Sequence, residues 1–320
     1  MIEIPQNNLV ASILRQWYEG MVTPRTWKIG GGRQILLGER SRVMGVLNAT
    51  PDSFSDGGLP TDLEFRISRG LEQSKAGADV IDVGGESGIT NRAAVSDQEE
   101  IARVVPVIEA LASAGIVVSI DTYKPEVAKA ALAAGALIVN DVSSLADLEL
   151  ARICAKFGAG LIVTHTRTTP KTSKSIDYRS GVMQDIVMFL RDRAKTAESL
   201  GVHPDSILLD PGPDLAKTPA QSYQAVSDLT PLRNLGYGIL MATSRKDFLG
   251  AITAQSPSKR LPASLAALEH GLQQGVELFR EHDVHAATEY LAVRAVLRGE
   301  VPVDPCWDTP EELRRDAPRG

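Results

Sequence analysis

The chain has 320 residues, of which 43% are hydrophobic and 23% charged, values typical of a globular protein with a sizeable core. Its net charge of -6 at pH 7, from 34 Lys and Arg against 40 Asp and Glu, argues against a nucleic-acid-binding surface. No stretch approaches the ~18 uninterrupted apolar residues that a membrane span requires, so we expect no membrane association.

The two cysteines and the first residues indicate the compartment. Cys154 and Cys306 lie far apart, with no metal-type spacing and too few thiols for a disulfide framework. The chain opens without the positively charged leader of a secretory signal. A reducing environment is therefore expected, and we predict a cytoplasmic protein.

From residue 43 onward, short apolar runs alternate with amphipathic segments. The predicted elements, in chain order, are strand 43–47, helix 63–76, strand 79–83, helix 98–112, strand 116–120, helix 126–134, strand 137–139, helix 148–157, strand 161–163, helix 182–200, strand 207–209, helix 220–235, strand 238–241, helix 259–274, strand 277–279 and helix 286–298. Eight strands that alternate with helices imply parallel pairing and favour an α/β fold of the (β/α)8 TIM barrel type over a doubly wound sheet. No Gly-x-Gly-x-x-Gly turn follows the first strand, which weakens the dinucleotide-binding alternative.

The same pattern predicts a single domain with an extension at each end. The barrel occupies residues 41–300, and residues 301–320 form a tail rich in Pro and charge. In the N-terminal extension, residues 1–40, Leu9, Ile13 and Trp17 have the spacing of a short amphipathic helix. This extension could close the bottom of the barrel or contact a second subunit, and the sequence does not decide between the two.

Polar residues lie at the end of each of the eight predicted strands or just after it. In strand order they are Asn48; Asp82; Asp121; Asn140 and Asp141; His165; Asp210; Ser244, Arg245 and Lys246; and Arg280 and His282. Active sites of this architecture lie at the carboxyl ends of the strands. Any one of these residues could be a helix cap or a satisfied buried group, but the full ring indicates a binding site.

The ring divides by chemistry into acceptors and cations. Direction-specific hydrogen bonds to a planar heterocycle with several N–H groups could come from Asp121, Asn140 and Asp210. The expected cations, suited to carbonyl and phosphate oxygens, are Lys246, Arg280 and His282. We therefore expect a heterocycle that carries a diphosphate. Asp121, among so many polar partners, is expected to be ionised and to stabilise positive charge.

Seven segments between Arg42 and Arg298 carry a family resemblance. They are VMGVLNATPDSFSDGG (43–58), GADVIDVGGES (77–87), SIDTYKP (119–125), IVND ending at residue 141, LLDPG (208–212), SRKDFLG (244–250) and FREHDV (279–284). In this order they resemble the successive signatures of the dihydropteroate synthases, folate-pathway enzymes that join a pterin to p-aminobenzoate. The resemblance spans the whole predicted barrel.

The resemblance implies a transferase reaction. Such enzymes condense 6-hydroxymethyl-7,8-dihydropterin diphosphate with p-aminobenzoate to give 7,8-dihydropteroate and diphosphate. Ionisation at the pterin methylene expels magnesium diphosphate, and the amine captures the cation. We accordingly expect small-molecule substrates, Mg²⁺ as cofactor and, by family precedent, a homodimer that forms through helices on the outer wall of the barrel.

The resemblance also assigns roles to residues of the ring. Those that match the family's pterin-binding positions are Asp121, Asn140, Asp210, Lys246 and Arg280. Those that match its diphosphate-binding positions are Asn48, Arg280 and His282, with Asn48 also near the magnesium ion. Catalytic roles fall to Asp121, Lys246 and Arg280.

The acceptor side departs from the family pattern. Where the family usually has Thr-Arg-Pro-Gly after GGES, the chain reads Gly88-Ile89-Thr90-Asn91, and Asp214-Leu215-Ala216 replaces an aromatic residue between glycines. We assign to the acceptor pocket Gly88, Ile89, Thr90, Asp214, Leu215 and Ser244. The carboxylate of Asp214 should disfavour the carboxylate of p-aminobenzoate unless it points away or is paired.

These departures leave alternatives open. The chain could be a dihydropteroate synthase, a related transferase that uses another aromatic amine, or a pterin-binding paralogue with no catalytic activity. A fourth possibility, a methyltetrahydrofolate-binding methyltransferase, is weakened by Lys246, Arg280 and His282, because its chemistry has no diphosphate to hold.

Overall fold

The computed structural model describes residues 24–50, 63–86, 94–172, 175–179, 181–303, 305–311 and 314. The strands are β1 (Arg25–Lys28), β2 (Gln34–Leu37), β3 (Arg42–Asn48), β4 (Val80–Gly84), β5 (Val118–Asp121), β6 (Ile138–Asp141), β7 (Gly160–Thr164), β8 (Ile207–Asp210), β9 (Gly238–Met241) and β10 (Leu278–Glu281). The helices are α1 (Leu63–Lys75), α2 (Asp97–Ser113), α3 (Pro125–Ala133), α4 (Glu149–Phe157), α5 (Val182–Ser199), α6 (Pro219–Ser227), α7 (Thr230–Arg233), α8 (Asp247–Thr253), α9 (Leu261–Gln273) and α10 (Val284–Leu297).

Strands β3 to β10 form one closed parallel barrel in the order β10-β3-β4-β5-β6-β7-β8-β9. The predicted (β/α)8 TIM barrel is confirmed. Helix α2 shows how the outer layer forms: Val104, Val107, Ile108 and Leu111 recur at helical spacing and are fully buried against the barrel wall. Its first turn is capped by Ser96, whose Oγ accepts from the N–H of Glu99 at 3.2 Å.

The barrel interior has an apolar lower layer and a polar upper layer. The lower layer includes Met44, Val80, Ile138, Ile162, Leu208, Leu240 and Leu278, which belong to one buried cluster. Residues two apart on a strand face the same side of the sheet, so a polar residue two positions after a residue of the lower layer also points inward. Four strands have such a pair: Val80 and Asp82, Ile138 and Asn140, Leu208 and Asp210, and Leu278 and Arg280.

An antiparallel hairpin of β1 and β2 closes the bottom of the barrel. Trp27, Ile29 and Leu37 are buried in the same cluster as the lower layer, and the indole Nε1 of Trp27 donates to the Ser206 carbonyl at 3.0 Å. This part of the N-terminal extension therefore takes the first of its two possible roles. The predicted helix at Leu9, Ile13 and Trp17 lies outside the described residues, and the predicted domain limits stay a prediction.

Two differences from the predicted elements concern whole helices. The helix predicted over 220–235 is two helices, because Asp228 is extended and its Oδ1 accepts from the N–H of Thr230 at 2.9 Å. Helix α8, which follows the predicted site residue Lys246, is absent from the predicted elements.

Cys154 is buried and Cys306 exposed, and neither forms a disulfide. No helix in the described ranges combines the length and apolar character needed to cross a bilayer.

Candidate active site

Arg280 lies in the middle of the polar layer and bridges two carboxylates. Its Nε donates to Oδ2 of Asp82 at 2.7 Å, and its Nη2 donates to Oδ2 of Asp121 at 2.7 Å. The side chain of Asp82 is fully buried, while those of Arg280 and Asp121 are 19% and 24% exposed. The network therefore runs from the closed interior toward the solvent at the barrel mouth.

Asp82 is a member of the strand-end ring to which the sequence assigned no individual role. Besides Arg280, it binds Asn140, whose Nδ2 donates to the same Oδ2 at 2.9 Å. One buried carboxylate thus orients two of the predicted pterin contacts. The available signal was its place on β4, two residues before Gly84 and two after the inward-facing Val80.

Asp210 and Lys246 complete the set that the resemblance assigns to the pterin. Asp210 is 4% exposed, and its Oδ1 accepts from the N–H of Gly212 at 2.8 Å. Lys246 immediately precedes α8, and its ammonium group acts to lower the pKa of both Asp121 and Asp210. The structure therefore brings the acceptors and the lysine to one place.

Burial dominates the electrostatics of these carboxyl groups. It raises the pKa of Asp121 above its ordinary value, an effect that the Arg280 guanidinium opposes and the Asp82 carboxylate reinforces. Burial also raises the pKa of Asp210, against the N–H of Gly212. For Arg280 the balance is reversed, because the two carboxylates raise its pKa despite burial. Asp121 was expected to be simply ionised, but it reaches full ionisation only at a higher pH than an ordinary aspartate.

Asn48, Arg280 and His282 lie at the ends of two neighbouring strands, since β3 pairs with β10. Burial lowers the pKa of His282 to about 3, and the cations Arg280, Arg245 and Lys246 add to this effect. At neutral pH the imidazole is therefore neutral, which differs from the expected cation. A neutral ring still carries one N–H that can donate to a phosphate oxygen.

Two members of the strand-end ring have structural roles. Asp141 is fully buried, and its Oδ1 accepts from the N–H and the Oγ of Ser143 at 2.7 and 2.6 Å. It therefore stabilises the turn after β6. His165 is also fully buried, and its Nε2 lies 2.9 Å from Oδ2 of Asp185, which holds the ring in place.

Lys217 fixes the loop after β8. Its Nζ donates to Nδ1 of His165 at 2.8 Å, to the carbonyl of Gly212 at 2.8 Å and to that of Leu215 at 3.2 Å. Because Nδ1 accepts, the proton of the neutral His165 ring lies on Nε2, which donates to Asp185. Burial lowers the pKa of Lys217 to about 7 and that of His165 to about 3.

Three of the six residues predicted for the acceptor pocket lie within the described part of the chain. Gly88, Ile89 and Thr90 lie outside the described residues. Leu215 is half-buried in the loop after β8, and Ser244 is buried, with its Oγ accepting from the N–H of His282 at 3.1 Å. The carboxylate of Asp214 accepts a hydrogen bond from the N–H of Asp247. This bond orients the carboxylate but, because the amide is neutral, leaves its charge in place, so the conflict with p-aminobenzoate that the sequence predicts stays a prediction.

A buried ion cluster lies directly before residues 88–90. Oε2 of Glu86 accepts from Nζ of Lys124 at 2.6 Å, and Lys124 also donates to Oε2 of Glu100 at 2.7 Å. Lys171, from the loop after β7, contacts Oε1 of Glu86 at 2.8 Å, and Tyr123 donates to the same oxygen at 3.0 Å. These contacts fix the point at which the chain leaves the barrel wall.

Comparison with known proteins agrees with this geometry. The family described as "Pterin binding enzyme" matches residues 44–282. The chain is 38% identical over 257 residues to a dihydropteroate synthase of Clostridium beijerinckii, covering 79% of this chain and 93% of that protein.

Two solved structures are similar throughout the barrel. The first is Xanthomonas albilineans dihydropteroate synthase with 4-aminobenzoic acid, with a TM-score of 0.78, 36% identity and coverage of 87% of this chain and all of that one. The second is Burkholderia cenocepacia dihydropteroate synthase complexed with 7,8-dihydropteroate, with a TM-score of 0.78, 33% identity and coverage of 87% and 98%.

Proposed function

The chain belongs to the family of pterin binding enzymes, and from this premise we propose that it is a dihydropteroate synthase. It condenses 6-hydroxymethyl-7,8-dihydropterin diphosphate with p-aminobenzoate to give 7,8-dihydropteroate and diphosphate. The observation that carries the proposal is the bridging of Asp82 and Asp121 by Arg280 in the barrel mouth. A relative named dihydropteroate synthase, and solved neighbours in complex with 4-aminobenzoic acid and with 7,8-dihydropteroate, support the choice of substrates.

The pterin ring is proposed to lie among the buried acceptors. Asp210 and Asp121 supply carboxylate oxygens for ring N–H and amino groups, and Asn140 supplies an amide that Asp82 has already oriented. Because Asp210 and Asn140 are nearly removed from water, a ligand that lacks the matching donors would leave them unpaired. Lys246 would bind a ring carbonyl or nitrogen from the rim of the same pocket.

The chemistry proposed for this site breaks one bond and forms one. The C–O bond between the pterin methylene and the diphosphate breaks, and the diphosphate leaves with the electron pair. The lone pair of the arylamine then forms the new C–N bond, and the amine loses a proton to solvent. Ionised Asp121 stabilises the transient positive charge on the pterin, while Arg280 and the N–H of His282 hold the departing diphosphate.

Magnesium fits this site as a partner of the diphosphate. In the described part of the chain, no group of three or more His, Cys, Asp or Glu side chains is arranged to hold a metal ion. The half-buried carboxamide of Asn48 would provide one oxygen ligand, which suits Mg²⁺ because this ion usually takes few protein ligands together with substrate phosphates and water. The ion would neutralise charge on the leaving group.

Diphosphate release tests the proposal directly. The assay contains the pterin diphosphate and magnesium, with p-aminobenzoate, without it, or with other aromatic amines. An Asp121→Asn variant, checked for wild-type folding by circular dichroism, serves as the inactive control. Release that depends on p-aminobenzoate is expected. Release only with another amine would indicate a related transferase, and tight pterin binding with no release would indicate a non-catalytic paralogue.

We further propose a homodimer that forms through the outer helices. On α10, Val293 and Leu297 are 59% and 81% exposed and lie one turn apart, so they form an apolar strip on the barrel wall. Light scattering after size exclusion should give twice the chain mass, and Leu297→Glu should shift the protein toward monomer. A wild-type monomer at micromolar concentration would contradict the proposal.

A further inference from the structure

Asp214 joins two loops that carry different parts of the site. Its own N–H donates to the buried Oγ of Ser222 at 2.9 Å, and its carboxylate accepts from the N–H of Asp247. Asp247 is the first residue of α8 and directly follows Lys246. The loop after β8 is thereby tied to the segment that presents this lysine.

The backbone conformation of Asp214 limits which residue types can occupy this position. Its φ is 65°, in the left-handed region that most residues avoid and that Gly, Asn and Asp tolerate best. Asp is therefore a residue that fits this conformation and also carries an acceptor. Glycine would fit the conformation but would leave the N–H of Asp247 without this partner.

The Lys246 segment is held on its other sides by separate contacts. Nη1 of Arg260 donates to Oδ1 of Asp247 at 2.8 Å and to the carbonyl of Arg245 at 2.9 Å. The guanidinium of Arg245 pairs with Asp283, from the loop after β10. These contacts tie the segment to α9 and β10, and Asp214 adds the tie to the loop after β8, the strand that carries Asp210.

We propose that Asp214 is a positioning residue that holds Lys246 in register with Asp210 for pterin binding, and that its charge does not select against the acceptor. The inference rests on the proposed function for its substrates. It is opposed to the sequence-based expectation, in which the same carboxylate would repel p-aminobenzoate. The two explanations predict different effects on the KM values of the two substrates.

The test compares three variants. Asp214→Gly keeps the backbone conformation and removes the acceptor, and Asp214→Asn keeps an acceptor oxygen and removes the charge. Asp177→Asn is the charge-matched control, because it removes one carboxylate that is well exposed. Asp177 also lies near the loop after β8, since the N–H of the neighbouring Ile176 donates to the carbonyl of Ala216 at 3.1 Å. Steady-state diphosphate release gives kcat and both KM values, and hydrogen exchange reports on the amide of Asp247.

Asp214→Gly should raise the KM for the pterin diphosphate about fivefold to tenfold and accelerate exchange at Asp247, consistent with the loss of one capping contact. Asp214→Asn and Asp177→Asn should stay within about twofold of wild type. In all three variants the KM for p-aminobenzoate should change less than about twofold.

Two results would overturn the inference. The first is an equal fall in the KM for p-aminobenzoate in Asp214→Gly and Asp214→Asn, which would assign the effect to charge. The second is an unchanged pterin KM in Asp214→Gly despite faster exchange at Asp247, which would leave the contact with no positioning role. If the wild type shows no turnover, the proposed function fails separately. Calorimetric affinities of the same variants for the pterin diphosphate then test whether Asp214 positions Lys246.

Discussion

Replacing Asp82 by Asn and by Ala separates the charge of the buried carboxylate from its shape. In Asp82→Asn the amide oxygen can take the place of Oδ2 and accept from Arg280 and Asn140, but the negative charge is gone. In Asp82→Ala both hydrogen bonds are lost, and Arg280 retains the carboxylate of Asp121.

The contacts of Asp82 set the size of the expected effects. Removing one partner of a buried ion pair typically costs 3–5 kcal/mol, so Asp82→Ala should lose about that much free energy of unfolding. Asp82→Asn keeps both hydrogen bonds and should lose about 1–2 kcal/mol. With Arg280 less firmly held, kcat/KM for the pterin diphosphate should fall roughly 10- to 100-fold in Asp82→Asn.

The pH profile provides an independent readout. The Asp82 carboxylate raises the pKa of Asp121, so in Asp82→Asn that pKa should fall by on the order of one unit. If ionised Asp121 is required, activity is lost as the pH drops through its pKa. The acid limb of the kcat/KM profile should therefore move to lower pH in the variant.

Diphosphate release measured between pH 5 and 9 checks this expectation. Glu126→Gln, which removes a well-exposed carboxylate on α3, is the control and should leave the acid limb in place. A limb that moves to higher pH in Asp82→Asn, or that does not move while kcat/KM falls, would refute the assignment of the limb to Asp121. Wild-type kcat/KM in Asp82→Ala would refute the role of Asp82 altogether.

Three further effects follow from the same contacts. Asp210→Ala should weaken pterin binding by about 3 kcal/mol, because ring donors lose their acceptors, and wild-type affinity by calorimetry would show the site to be misplaced. Lys217→Met should cost about 2–3 kcal/mol of unfolding free energy in urea, because two carbonyls, of Gly212 and Leu215, and the His165 ring lose their donor; an unchanged midpoint would contradict this. His165 should contribute a fall in stability below about pH 6.5, by up to ~1.4 kcal/mol per unit, because its folded pKa is about 3 and the unfolded chain takes the proton first; His165→Asn should remove this share of the slope, and an unchanged slope would exclude this cause.

The strand-end site was predictable because two simple regularities determine it. Parallel strands of a barrel open at one mouth, and the pleat sends every second residue inward. At the end of β6, Asn140 and Asp141 are adjacent, so only one of them can face the interior. The apolar Ile138, two residues before Asn140, already decides which, since it belongs to the lower layer.

Long-range contacts decided what the sequence could not. The charge state of His282 depends first on its burial, which is a property of the closed barrel, and then on Arg280 in β10 and on Arg245 and Lys246 in the loop after β9. The orientation of the Asp214 carboxylate depends on a hydrogen bond from a backbone N–H 33 residues further along the chain. Local pattern shows that a carboxylate is present, but only the fold shows what it contacts.

The loop after β8 keeps a defined backbone although its glycines are replaced. Asp214 and Ala216 both have positive φ, at 65° and 53°, and each non-glycine residue in this region costs on the order of 1 kcal/mol. The cost is offset by ties at several points: the Asp214 contact to α8, the carbonyls held by Lys217, and the carbonyl of Ala216, which accepts from Ile176 at 3.1 Å. Since these ties fix the backbone, a change of acceptor preference should come from the side chain of Leu215 and from residues 88–91, and not from a displaced loop.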